Sequence, residues 1–278
     1  MSLAVVTDSA ACLPPGLARR HGIEVVALHT VPGTDGAPAT TSRPSVEELD
    51  RAYQDALTRA DAVLALHLTA ALSGTVDNAR AAAARLAQDG AQVTVLDLGV
   101  SAGALGLAAL AASQAQDLRH GAARARESAS RSHLTFLVDD LASLRRGGRL
   151  DRTTAMMGGA LGIRPLLRAD ERGISLVEVV RGRARARRRL VEIAVEQAGG
   201  GRTHGPRPPA TPVRLAVHYG DDPADGRDLE NDLADAMAEA GTQVEVILRS
   251  PADEAMRVHL GPGALGVVVA PALAQPRG

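Results

Sequence analysis

The sequence predicts an α/β fold: a doubly wound, mostly parallel sheet first, then an α+β second half. Three observations predict it. Apolar runs of four to seven residues alternate with longer helical patterns through the first half, the pattern of strands joined by crossover helices. That rhythm stops after Thr135–Val138, which places the expected domains at 1–135 and 136–278. The length of 278 residues, 45% hydrophobic and 23% charged, suffices for two modest cores and excludes disorder for the bulk of the chain.

Taken in order, Leu3–Thr7 reads as a buried strand, and a helix starts near Pro14-Pro15. Ile23–Leu28 is a second strand. Ser45-Val46-Glu47-Glu48 opens a helix to about Ala60, because serine followed three residues later by glutamate is a capping box. Ala62–Leu68 and Val93–Asp97 are further strands, with Ala-rich helices over Ser73–Ala87 and Ala104–Gln116. In the second half Leu141–Arg146 is a short helix ended by Gly147-Gly148, and Thr153–Leu161 is another. Leu166–Arg168 and Ile174–Val180 form a hairpin turning through Asp170-Glu171-Arg172-Gly173, and Ala184–Ala198 is helical. Gly199–Pro212, with three consecutive glycines and four prolines, is a surface loop or linker. Val213–His218, a helix over Arg227–Ala240, Val244–Leu248 and Gly266–Ala270 complete the chain.

Composition removes several classes of function. Tyr53, Phe136 and Tyr219 are the only aromatics, too few to stack nucleic-acid bases, so the interior must be aliphatic. All 31 basic residues are arginine, which excludes a Schiff-base lysine and a P-loop lysine. Cys12 is the single cysteine, so no intrachain disulfide or thiolate zinc site forms, and the eight histidines show no ligand spacing. The start lacks a signal-peptide pattern and no run reaches the ~20 apolar residues of a membrane span, so a soluble cytoplasmic protein is expected. The net charge of −1 is unevenly placed: residues 141–190 sum to +9 and the remainder to −10. That stretch is either a solvated arginine face or a docking surface for an acidic partner. The acidic helix around Asp228–Glu239 is expected to face solvent.

No Walker loop, HExxH, CxxC or GxSxG is present, and Gly99, Gly103 and Gly106 miss the dinucleotide spacing. What remains are hydroxyls and glycines at strand ends, where an open α/β sheet binds ligands. Leu72-Ser73-Gly74-Thr75 follows a strand and opens a helix; Ser73 either caps it or turns its free N–H groups toward an anion. Thr41-Ser42-Arg43-Pro44-Ser45 is a capped turn or a pair of ligand donors. His259-Leu260-Gly261-Pro262-Gly263-Ala264 gives an uncrowded backbone beside a histidine able to donate a hydrogen bond. Gly147-Gly148-Arg149 is a helix end or an anion clamp.

Together with Val6-Thr7-Asp8-Ser9, Leu141–Arg149, Gly162-Ile163-Arg164-Pro165 and Val180-Arg181, these motifs follow one another as in the DegV family of bacterial fatty-acid-binding proteins, which the chain resembles over nearly its whole length. The resemblance implies two domains, an N-terminal Rossmann-like one and a C-terminal one with a mainly antiparallel sheet, and between them a long-chain fatty acid such as palmitate in an apolar tunnel. It implies Thr41, Ser73 and His259 at the carboxylate, with Ser42, Gly74, Thr75, Thr7 and Ser9 around it. It implies presentation to a separate fatty acid kinase that makes an acyl phosphate for phospholipid synthesis, with Arg149 and Arg181 at that interface. No catalytic residue, metal or cofactor is expected beyond the bound fatty acid. A monomer with transient membrane-surface contact and no nucleic-acid partner completes the expectation. The chain departs from the family in a short stretch before Thr41, in Gly162 and Arg164 where Asn and Lys are common, and in the inserted Gly199–Pro212. The alternative is an α/β enzyme in which Ser73 or His259, helped by Asp8 or Asp97, acts on a small phosphorylated or acyl substrate.

Overall fold

Each apolar run of the first half becomes a strand of one parallel sheet. In the computed structural model, which describes residues 2–33, 39–139, 141–150, 154, 162–199 and 211–273, β1 (Leu3–Asp8) leads through a 3₁₀ turn (Ser9–Ala11) and α1 (Pro15–Arg20) to β2 (Ile23–Val26). A hairpin of β3 (His29–Val31) and β4 (Thr40–Ser42) precedes α2 (Val46–Leu57), β5 (Ala62–Leu66), α3 (Thr75–Gln88) and β6 (Val93–Leu96). The strand order is β2-β1-β5-β6, all parallel. The capping box at Ser45 forms as expected: Ser45 Oγ accepts from the Glu48 N–H while Glu48 accepts from the Ser45 N–H at 2.7 Å.

Two helices follow, α4 (Ala102–Ser113) and α5 (Leu118–Ser130), then β7 (His133–Leu137) and α6 (Ala142–Gly147). The hairpin through Asp170–Gly173 is longer than its apolar runs, β8 spanning Ile163–Asp170 and β9 Gly173–Arg181. Next come α7 (Arg183–Gln197), β10 (Val213–Tyr219), α8 (Pro223–Glu239), β11 (Val244–Pro251), α9 (Glu254–Leu260) and β12 (Leu265–Pro271). The second sheet runs β11-β10-β12-β7-β8-β9; only β10 and β11 are parallel, with α8 as their crossover. Residue 135, the end of the first expected domain, lies inside β7. The expected helix Thr153–Leu161, apart from Thr154, and most of the Gly199–Pro212 loop lie outside the described residues.

Period-two alternation assigns the faces of this second sheet. Leu134, Phe136, Ala216 and Val268 join α4, α5 and the inner face of the first sheet (Val5, Leu64, Leu66) in one core. Their neighbours Leu215, Val217, Val267 and Val269 pack instead with α7 and α8. The outer face of the first sheet, with Val6, Val63 and Ala65, is covered by α2 and α3. The layers are therefore helix, sheet, helix, sheet, helix. Helix α4 is central: eleven of its twelve residues are buried and none is charged, as a helix covered on all sides requires. No helix among the described residues is long and apolar enough to cross a membrane.

Candidate functional site

The parallel sheet delivers the segments after β1 and β5 to one edge, and there the β3–β4 hairpin packs against α9. Between these elements lies a cavity of about 370 Å³, within the size range of small-molecule sites. One part of its wall is polar: Thr41, Ser42 and Arg43 at the end of the hairpin, Ser73 and Gly74 before α3, Arg149 after α6, and His259 on α9. The rest is aliphatic, from Leu28 and Leu68 to Met256 and Leu260. Among the described residues two arginines and no acid face it.

At the polar end Thr41 Oγ1 and His259 Nε2 lie 2.9 Å apart. Burial, and secondarily the charge of Arg149, hold His259 below the ordinary histidine value, so the ring is neutral at pH 7. In the tautomer with its proton on Nε2 the ring donates to Thr41, leaving the threonine proton for a third group. Ser73 stands one residue earlier than a cap: Gly74 is the N-cap of α3 and offers no side-chain acceptor. Ser73 Oγ instead lies 2.9 Å from Thr75 Oγ1 and 3.4 Å from the Thr75 N–H. The Arg43 guanidinium lies over Gly74, its Nη1 1.6 Å from where a Cβ would be, so a side chain at 74 would displace it. A guanidinium and a helix N-terminus are thus held side by side, both positive. Arg149 donates to the carbonyls of Leu72, at 3.3 Å, and Gly147.

A second, smaller cavity of about 60 Å³ lies deeper. Leu72, Ile174, Met256 and Leu260 stand in the walls of both. Among the described residues no charged side chain lines it, and the far wall carries Phe136, Tyr219 and Gly266 from the second sheet.

The family model described as "Uncharacterised protein, DegV family" matches residues 31–272. A DegV domain-containing protein of Streptomyces coelicolor is 36% identical, over 96% of this chain and 98% of its own. The chain belongs to the DegV family. The crystal structure of a DegV family protein from Corynebacterium glutamicum matches with a TM-score of 0.84 at 30% identity, covering 98% of this chain and 99% of that one. A DegV family protein from Thermus thermophilus, whose structure is described by its fatty acid binding, gives a TM-score of 0.81 at 28% identity, covering 98% and 100%.

In this DegV chain Thr41, Ser42, Ser73, Gly74, His259 and Arg149 meet at one cavity, although they are spread over more than two hundred residues of sequence. Thr7, Ser9, Thr75 and Arg181 are not in its wall. Thr7 is buried with no partner for its hydroxyl among the described residues, Ser9 Oγ accepts from the Leu28 N–H at 2.9 Å, and Thr75 supports Ser73. Arg181 ends β9, exposed and paired in register with Ile163. The helpers of the enzyme alternative are otherwise engaged. Asp8 is fully buried and accepts from the N–H groups of Ala10 and Leu68 and from His67, which in turn accepts from the Tyr53 hydroxyl at 2.8 Å. Asp97 accepts from the N–H groups of Ala70 and Gly99. Both carboxylates shape loops at the strand ends. Sequence reasoning missed the Asp8–His67–Tyr53 network, whose one visible sign is a histidine inside the apolar run Ala62–Leu68. It also left Arg43 without a role, since the close approach to Gly74 is a tertiary event.

Proposed function

We propose that this protein is a non-enzymatic carrier. It binds a long-chain fatty acid such as palmitate in an apolar tunnel between domains 1–135 and 136–278, and presents the carboxylate to a separate fatty acid kinase for acyl-phosphate formation in phospholipid synthesis. One observation carries the reading: a cavity whose aliphatic wall, among the described residues, ends in hydroxyls, a neutral histidine, two arginines and a helix N-terminus, with no acid. Thr41, Ser73 and His259 fix the carboxylate by hydrogen bonds, and Arg43 and Arg149 supply the opposite charge. The tail supplies most of the affinity, at roughly 0.8 kcal/mol per buried CH₂. The fatty acid binding described for the Thermus thermophilus relative supports the same assignment. A cytoplasmic monomer that meets a membrane surface only transiently, with Arg181 near the kinase, belongs to this reading.

The test is organic extraction of protein purified without delipidation, followed by mass spectrometry. Close to one fatty acid per chain is expected, together with acyl phosphate when ATP and a fatty acid kinase are added. Thr41→Ala should lower retention tenfold or more, as loss of a hydrogen bond to a charged group costs about 1.5–3 kcal/mol. Lipid-free extracts from several expression hosts would overturn the proposal.

A further inference from the structure

We propose that the smaller cavity is a chain-length gauge, a terminal subsite that takes the methyl end of the acyl chain, with Phe136 as its stop and Gly266 as the open position beside it. The inference rests on the fatty-acid reading above and adds which side chains select the ligand. Continuity is the first argument. The two cavities share Leu72, Ile174, Met256 and Leu260, so among the described residues the aliphatic wall of the larger one runs on into the smaller. Met256 and Leu260 lie one helical turn apart on α9, on the same face, and His259 at the polar end belongs to that helix too.

Chemistry is the second. A space of about 60 Å³ with no charged side chain among the described residues offers water few of the polar partners it needs. The histidine in its wall, His218, has both ring nitrogens engaged, by the Gly103 N–H at 2.9 Å and by Ser250 Oγ at 3.1 Å. Ser101 and Tyr219 add two hydroxyls to a wall that is otherwise aliphatic or aromatic, so an apolar occupant fits this space better than a polar one.

The third argument is the placement of rigid mass. The chain contains three aromatic residues, and two of them, Phe136 and Tyr219, stand in this wall. Aromatic rings turn about only two side-chain bonds, so they make a harder stop than the leucines and methionine around the throat. Across the sheet His218, Gly266 and Phe136 are direct neighbours in register, on the face turned toward α4. A Cβ at 266 would lie 3.4 Å from Phe136 Cβ and 3.9 Å from His218 Cβ and Leu134 Cδ1. These are ordinary contacts, so a methyl group enters there without displacing a neighbour and takes volume from the acyl end.

The experiment loads wild type, Gly266→Ala, Phe136→Leu and Thr41→Ala with an equimolar mixture of saturated fatty acids of increasing length and measures the retained profile by mass spectrometry. Gly266→Ala should shift retention toward shorter acids, by roughly fourfold in relative affinity for each methylene excluded. Phe136→Leu should shift it toward longer ones, and Thr41→Ala should reduce the amount bound without moving the profile. If Phe136→Leu does not fold, Gly266→Ala carries the test alone. Wild-type profiles in both cavity variants, with fatty acid still bound, overturn the gauge and leave the carrier standing. Absence of fatty acid from the wild type overturns the carrier reading itself.

Discussion

His218 shows how one buried side chain ties the halves of the molecule together. Because the Gly103 N–H points at Nε2, that nitrogen must accept, and the proton sits on Nδ1 facing Ser250 Oγ; the serine hydroxyl in turn donates to the Cys12 carbonyl at 2.6 Å. Cys12 at one end of this chain of bonds, and Ala102 next to Gly103 at the other, have φ of 49° and 51°, a left-handed conformation that costs a non-glycine residue of order 1 kcal/mol or more. Burial pushes the His218 pKa from 6.5 down to about 4. The unfolded chain therefore takes up a proton near pH 6.5 that the folded protein refuses until about pH 4, so stability falls as pH drops through that window, by roughly 3 kcal/mol for this group. Urea unfolding from pH 7 to 4 should show that extra loss in wild type and lack it in His218→Gln, whose amide oxygen still accepts from Gly103. Parallel pH profiles would contradict the assignment.

Among the elements, α4 is where packing overrides propensity. Glycine inside a helix normally costs about 1 kcal/mol relative to alanine, so replacing it normally helps. At Gly106 a Cβ would lie 2.5 Å from the backbone carbonyl of Ala11, which cannot move aside, whereas at Gly16 in α1 nothing lies within 4 Å. Gly106→Ala should lower the melting temperature, at a cost of about 1–3 kcal/mol, while Gly16→Ala should raise it slightly; equal effects in calorimetry would remove the close approach. The helix was legible as an all-apolar run, but its partners were not. Its neighbour α5 went unread although Asp117 caps it and Ala122, Ala125 and Ala129 repeat at helical spacing, because arginines between them mask the stripe. The three-residue strands β3 and β4 and the seven-residue α9 are too short for any periodicity to declare them.

For the whole molecule, the charge asymmetry along the sequence is largely resolved in space. The basic α7 packs beside the acidic α8, and Arg187 pairs with Asp228 at 3.3 Å and Asp232 at 2.9 Å. Asp228 and Asp232 thus face arginine rather than solvent alone, contrary to expectation. Arg189 is likewise met by Glu178, Glu192 and Glu196. Exposed pairs are each worth less than about 1 kcal/mol, but reversing a charge that meets two acids replaces attraction by repulsion. Arg187→Glu should therefore destabilise by about 1 kcal/mol at low salt and less at high salt, and Arg188→Glu, on the exposed side, should leave the urea midpoint unchanged. Identical midpoints for the two variants would refute the pairing.

By itself the sequence determined the alternation of strands and helices, the break in rhythm near β7 and the identity of the hydroxyl, glycine and histidine motifs. These are local properties, written in spacing of two or 3.6 residues and in the chemistry of single turns. Only the tertiary structure decided that Thr41 meets His259 across 218 positions, that Arg43 lies on Gly74, and that two cavities share four walls. Such contacts depend on which strand end faces which helix, and no local pattern encodes that: it follows from how the five layers stack to bury their apolar faces.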